Sequence, residues 1–290
     1  MQRLWRPSDL VSGKANWRAM PRRLFGLLIC LLAGLSSASP LFAATQTMGP
    51  ATWFNPNQPW GERRPVTAAD RAWIASYRSG QKKPIIDTDF TNPAEFQSQW
   101  SLQSDDRGNL QSCRQPRNIV TTPTGLELRT LDAVKCHAKW STGFAISKSK
   151  QSYGFFEASI KVADIDGLNN AFWLVSEDAF EIDIAEVHFP NDLHMTLHNW
   201  VTSAGTGVGF DSKFSGDLSK GFHDYGVLWT PTDIVFEVDG EPVAAIATHG
   251  AISKPVDIRF STALAFFAGK IPENPAGHAM YVRSLRVYPL

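Results

Sequence analysis

Cysteine is scarce, three in 290 residues, so the fold cannot rest on a dense disulfide framework. Charge of one sign is lacking too. With 28 Lys and Arg against 28 Asp and Glu, the chain has no electrostatic footprint for nucleic acid or an anionic membrane. Long apolar runs are absent as well, since the stretch from Leu24 to Leu35 is too short to span a bilayer. That stretch follows Arg22 and Arg23 and precedes small residues from Ser36 to Ala44, the layout of a secretory signal peptide cleaved after Ala38, Ala43 or Ala44. Residues 1–44 are therefore read as a signal and the protein as secreted or periplasmic, with no membrane span. Met20 offers a second start, and Pro21-Arg22-Arg23-Leu24-Phe25 partly matches the twin-arginine export motif. The first 44 residues hold six of the 28 Lys and Arg and one of the 28 Asp and Glu, so the remainder carries 22 basic against 27 acidic side chains, a net of −5. That balance speaks against a highly sulfated polysaccharide as partner. About 245 residues then suit one large all-β domain.

Of the cysteines, Cys113 and Cys136 remain after export, and an oxidising compartment favours a disulfide between them over two buried thiols. Cys136-His137 has no second ligand pair at metal spacing, so no metal site is expected there. Residues 45–84 read as an extended leader with Pro50, Pro56, Pro59 and Pro65, followed by one short helix. Thr67 caps it, Trp73, Ile74 and Tyr77 share a face, and Gly80 stops it; it is expected to be the only substantial helix. From Ile85 the period is two. Leu126 and Leu128 alternate with Glu127 and Arg129, and Phe156, Ala158, Ile160 and Val162 with Glu157, Ser159 and Lys161, as in half-buried strands. Many short strands between turns such as Asp239-Gly240 imply a β-sandwich or barrel over residues 85–290.

The row Glu181-Ile182-Asp183-Ile184-Ala185-Glu186 sets three acids in an apolar run. Ionised carboxylates are rarely buried without partners, so the row must face water or a cleft. On a strand Glu181 and Asp183 project one way and Ile182 and Ile184 the other, while Glu186 falls out of phase by one. A β-bulge near Ala185 would bring it back. Two inward-leaning carboxyls could then approach the separation of about 5 to 5.5 Å that retaining glycosidases use. The competing reading is an acidic edge strand that blocks aggregation. In the next segment, His194, Thr196, His198 and Trp200 alternate with Leu193, Met195 and Leu197, and would line the same cleft if the two strands pair.

Glu-Ile-Asp-Ile-Ala-Glu resembles the bulge-containing E-[hydrophobic]-D-x-x-E signature of family 16 glycoside hydrolases. Tyr153-Gly154-Phe155-Phe156-Glu157-Ala158-Ser159-Ile160-Lys161 is similar to that family's Y-G-x-F-E-A-R-I-K strand, and Ala171-Phe172-Trp173-Leu174 to its A-F-W-L. Phe222-His223-Asp224-Tyr225 through Trp229-Thr230-Pro231 resembles F-H-x-Y-x-x-x-W-T-P, and the end Tyr281-Val282-Arg283-Ser284-Leu285-Arg286-Val287-Tyr288 fits as well. The segments keep the family's order over residues 85–290.

The resemblance implies a concanavalin A-like jelly-roll β-sandwich with a concave cleft, and a secreted, retaining endo-β-glycosidase acting on a β-linked polysaccharide, either β-1,3-glucan such as laminarin or a galactan such as agar. It makes Glu181 the nucleophile, Glu186 the acid/base with the raised pKa, and Asp183 an electrostatic helper. It assigns Trp173, Trp200, His198 and His194 to substrate binding, and Trp229 to the core. No cofactor is implied, although a structural calcium ion is compatible with it, and a monomer is expected. A transglycosylase with the same acids, a non-catalytic carbohydrate-binding protein and a structural envelope protein are the alternatives. Gly205-Thr206-Gly207-Val208-Gly209 reads as a loop bordering the cleft, not a phosphate loop. Asn169-Asn170 departs from the family's W-P and Ser159 from its Arg, so substrate class is not carried over.

Overall fold

The computed structural model describes residues 57–201 and 207–290. The signal segment 1–44, residues 45–56 of the leader, and Gly205 and Thr206 lie outside the described residues. Two antiparallel sheets stack face to face. The larger has ten strands, running in space from Asn57–Gln58 and Gly61–Arg64 through Glu241–Ala247, Asp233–Val238, His223–Trp229, Gly154–Lys161 and Ala279–Tyr288 to Gly125–Arg129 and Ile119–Thr122, with Ile86–Thr88 beside Ala279–Tyr288. The smaller has seven, in the order Gly207–Lys213, Asp192–Asn199, Phe180–His188, Leu168–Ser176, Val256–Leu264, Phe144–Ser147 and Trp100–Leu102. Between them Phe156, Ala158, Val227 and Phe236 of one sheet meet Phe172, Leu174, Ile182 and Phe260 of the other in one apolar core.

Helix Ala68–Arg78 starts where its sequence says, because Thr67 accepts from Asp70 N–H while the Asp70 carboxylate accepts from Thr67 N–H, closing a capping box. Its buried face is Asp70, Ile74 and Tyr77, not the expected one with Trp73, which is 40% exposed. The helix lies on the outer side of the ten-stranded sheet, where Ile74 and Tyr77 pack on Phe155, Leu228, Val235 and Ala245. Strand Gly154–Lys161 is consequently buried on both faces and not half-buried. Glu157 is covered too and is pinned by Arg78, which also bonds Asp224 at 2.9 Å. Residues 57–64 are likewise sheet edge, since Ala245, Ile246 and Ala247 pair with Arg64, Arg63 and Glu62.

A second helix, Pro93–Gln99, went unread although Asn92 at its N-cap and Pro93 at its first turn are standard start signals. The Asp239-Gly240 turn has φ of 53° and 88°, the left-handed pair that a tight hairpin needs. Gly207 and Gly209 form strand, not loop. A Cβ at Gly207 would meet the His198 ring at 2.9 Å and one at Gly209 the Met195 carbonyl at 2.8 Å, so glycine lets this strand approach the histidine strand closely. A small third sheet pairs Ser112–Arg114 in parallel with Trp140–Thr142. Cys113 on it is joined to Cys136, with Cα atoms 6.3 Å apart. No described helix is long and apolar enough to cross a membrane.

Candidate active site

The acid strand Phe180–His188 carries a bulge where the spacing calls for one. Asp183 faces Thr196 and Glu186 faces His194, so Ile184 and Ala185 together oppose the single residue Met195. On the other side Trp173 pairs with Asp183 and Phe172 with Ala185, skipping Ile184. Ile182, Ile184, Ala185 and Val187 all enter the core at 2% exposure or less. Glu181, Asp183 and Glu186 therefore share the outer face and line one cleft of about 500 Å³. Register is well fixed. A slip of one residue would put ionised carboxyls in the core at several kcal/mol each and expose two isoleucines, each about 1.5 to 3 kcal/mol when buried.

Burial, reinforced by the charges of Asp183 and Glu186, pushes the Glu181 carboxyl up to about 8, against the opposing pull of His198 and a hydrogen bond from the Trp200 side chain. Asp183 is fully buried, and that burial plus the charge of Glu186 holds it well above the usual carboxylate range. Glu181 and Asp183 thus keep protons that free carboxyls would release, and as interacting neighbours they titrate together. The upward shifts fall on Glu181 and Asp183, and burial is the largest cause of both. His198 Nε2 lies 3.2 Å from Asp183 Oδ2, and its ring stacks on Trp200 at 4.9 Å.

Glu186 is held from the neighbouring strand. Asn169 Nδ2–H donates to its Oε1 at 2.6 Å, from a side chain only 6% exposed. Asn170 is structural, donating to the Leu168 and Val187 carbonyls and accepting from Ala163 N–H. The pair that departs from the family pattern therefore braces the acid strand. Asn169→Ala is expected to slow cleavage of a polysaccharide about tenfold while affecting an aryl glycoside with a good leaving group much less, since only the former needs a well-placed acid. Equal losses on both substrates, measured by steady-state kinetics, would leave Asn169 no role in placing Glu186.

Residues 109–283 match the profile of Glycosyl hydrolases family 16. The chain belongs to that family. An endo-1,3-1,4-β-glycanase of Rhizobium meliloti (strain 1021) is 31% identical over 150 residues, half of this chain and 32% of its own length. A β-agarase of Agarivorans albus is 32% identical over 137 residues, 41% of this chain and 30% of its own. The chain thus spans about a third of the length of these curated relatives. The laminarinase catalytic domain of Thermotoga maritima MSB8 superposes with a TM-score of 0.66 at 17% identity over 72% of this chain and 98% of that domain, and so shares the jelly-roll fold.

Within the family 16 frame the subsite residues separate. His198, Trp200 and Trp173 line the cleft, but His194 does not. It sits beside Glu186 on the next strand, bonded to Asp211 and with its ring tilted against that of His188 at 4.5 Å. Burial would lower its pKa, but Asp211 more than offsets this and raises it. Trp173 is partly covered, with Phe144 stacked on it at 5.4 Å and the Arg259 guanidinium 4.7 Å from its ring centre. Trp200, 47% exposed, is the freer ring. Asn169, read from the sequence only as a departure from the family pattern, lines the cleft too, as do Arg107, Arg114, Arg259, Ser261 and Phe267, which sequence reasoning missed. Calcium takes six to eight oxygen ligands. The two side-chain clusters among the described residues with ligand spacing, Asp106–Cys136–His137 and Glu181–Asp183–His198, each include a non-oxygen donor, and Cys136 is spent on the disulfide. They do not fit calcium.

Proposed function

We propose that this chain is an exported, retaining endo-β-glycosidase that cleaves a β-linked glucan or galactan by double displacement. The observation that carries this is the bulged acid strand, which turns Glu181, Asp183 and Glu186 onto one cleft face. Glu181 attacks the anomeric carbon once it has lost its proton, and Asp183, more deeply buried, keeps its own. Glu186, steadied by Asn169, protonates the leaving oxygen and then draws a proton from the water that releases the product. The apolar run after Arg22-Arg23 and the Cys113–Cys136 bridge support export. An open cleft on a sheet face supports attack inside a chain, not at its end. The similarity to an endo-glycanase and a β-agarase supports β-1,3-glucan first and agarose second.

Digestion of laminarin, mixed-linkage glucan, agarose and carrageenan by the purified mature chain, with Glu181→Gln as control, tests the reading. Oligosaccharides released by the wild type alone are expected. Binding without release from any substrate would instead favour a carbohydrate-binding protein or a transglycosylase that lacks its acceptor sugar.

A further inference from the structure

Across the cleft floor from His198, one wall carries three guanidiniums, those of Arg107, Arg114 and Arg259. Asp183, Trp173 and Arg259 lie in one register row over adjacent strands, which puts Arg259 two strand spacings, about 10 Å, from the acid strand. Two carboxylates pair directly with these three cations. Asp105 is shared by Arg114 at 3.0 Å and Arg107 at 3.2 Å, and Asp257 takes Arg259 through both Nε and Nη2. Arg114 is 8% exposed, and its Nε–H finds no acceptor. A buried N–H left without an acceptor is costly, and a ligand oxygen that reaches it relieves that cost.

The wall is also rigid. Phe144 and Trp173 stack on each other, with the Arg114 Cζ 4.8 Å from the Phe144 centre and the Arg259 Cζ over both rings, 4.7 Å from the centre of Trp173 and 5.9 Å from that of Phe144. Guanidinium forks held in this way match the paired oxygens of an oxyanion better than a sugar hydroxyl.

We propose that this wall is a subsite for an acidic substituent, a carboxylate or a sulfate ester, on the glycan at the Arg259 side of the scissile bond. Its position relative to the bond rests on the glycosidase reading above; its binding does not. The net charge of −5 on residues 45–290 pointed away from such substrates, but three guanidiniums gathered on one wall act at contact distance whatever the global count. That same negative total repels polyanions, so a preference for them could not come from bulk charge.

Affinity electrophoresis tests this with the Glu181→Gln chain, which digests nothing, in gels holding laminarin, lichenan or agarose, each neutral, lightly carboxymethylated or lightly sulfated. The expected result is an apparent affinity about tenfold higher for the acidic form of at least one backbone, falling towards parity at about 0.5 M salt. The acidic-to-neutral ratio is expected to collapse in Arg107→Ala and in Arg259→Gln, each shown by melting to be folded. The two acidic arms tell carboxylate from sulfate. Equal retardation by neutral and acidic forms, retardation by no acidic form, or a preference that survives both substitutions overturns the proposal. A preference lost with the arginines, together with no cleavage by the wild type, upholds the subsite and overturns the hydrolase reading.

Discussion

Glu181→Gln is expected to cut turnover by roughly 10⁴-fold or more, the scale on which removing a nucleophile acts elsewhere, and at the same time to raise the melting temperature. The two effects share one cause. The Glu181 carboxyl is pushed from its ordinary 4.5 up to about 8 by burial and neighbouring acids, so the folded state holds its proton more tightly than the unfolded chain. Its favourable contribution is complete below pH 4.5 and is lost as pH rises towards 8. Glutamine has no charge to desolvate and escapes that loss. The stability gap between variant and wild type should therefore be small at pH 4 and widen to about 2 to 4 kcal/mol by pH 8. Thermal melts at a series of pH values check this. A gap that stays flat or narrows over that window would show that Glu181 is not held in its neutral form.

Glu186→Ala should lose about 10³-fold on a polysaccharide, whose leaving oxygen needs a proton, but far less on an aryl glycoside whose leaving group departs unaided. With such a substrate the first displacement proceeds and the glycosyl-enzyme waits for a base that no longer exists. Azide needs no base and fits where the carboxyl stood, so it should restore turnover and yield a glycosyl azide of retained β configuration. Product analysis by NMR decides both rate and stereochemistry. An α-azide would mean direct displacement by azide in place of the lost carboxylate, making Glu186 the nucleophile of a retaining enzyme or the base of an inverting one, and indifference to azide and other small anions would remove Glu186 from the acid/base role.

The acids were legible because a strand announces its faces every second residue, and Glu186 broke that alternation in a way only an inserted residue repairs. The capping box at Thr67 and the hairpin at Asp239-Gly240 were legible because both are local chemistry. Trp73 was misplaced because three apolar residues in one helix do not say which of them the sheet will cover. The double burial of strand Gly154–Lys161 needed knowledge of where Ala68–Arg78 would land. The arginine wall was harder still. Arg259 meets Trp173 only through strand pairing, Arg114 arrives on a separate small sheet, and neither sits in a local pattern. Asn169 was noticed as a departure, yet its bond to Glu186 depends on the register across the bulge.

At that bulge, Ile184 and Ala185 crowd two side chains onto the same inner face within a single strand step, and Ala185 is the small one of the two. The gap between Glu181 and Glu186, which on the proposed roles selects retention over inversion, is thus set from behind the sheet. A larger residue at position 185 would have to displace Ile184 or open the bulge, moving Glu186 along the strand without touching the cleft. The stereochemical outcome at the sugar is, in this sense, a property of the hydrophobic core.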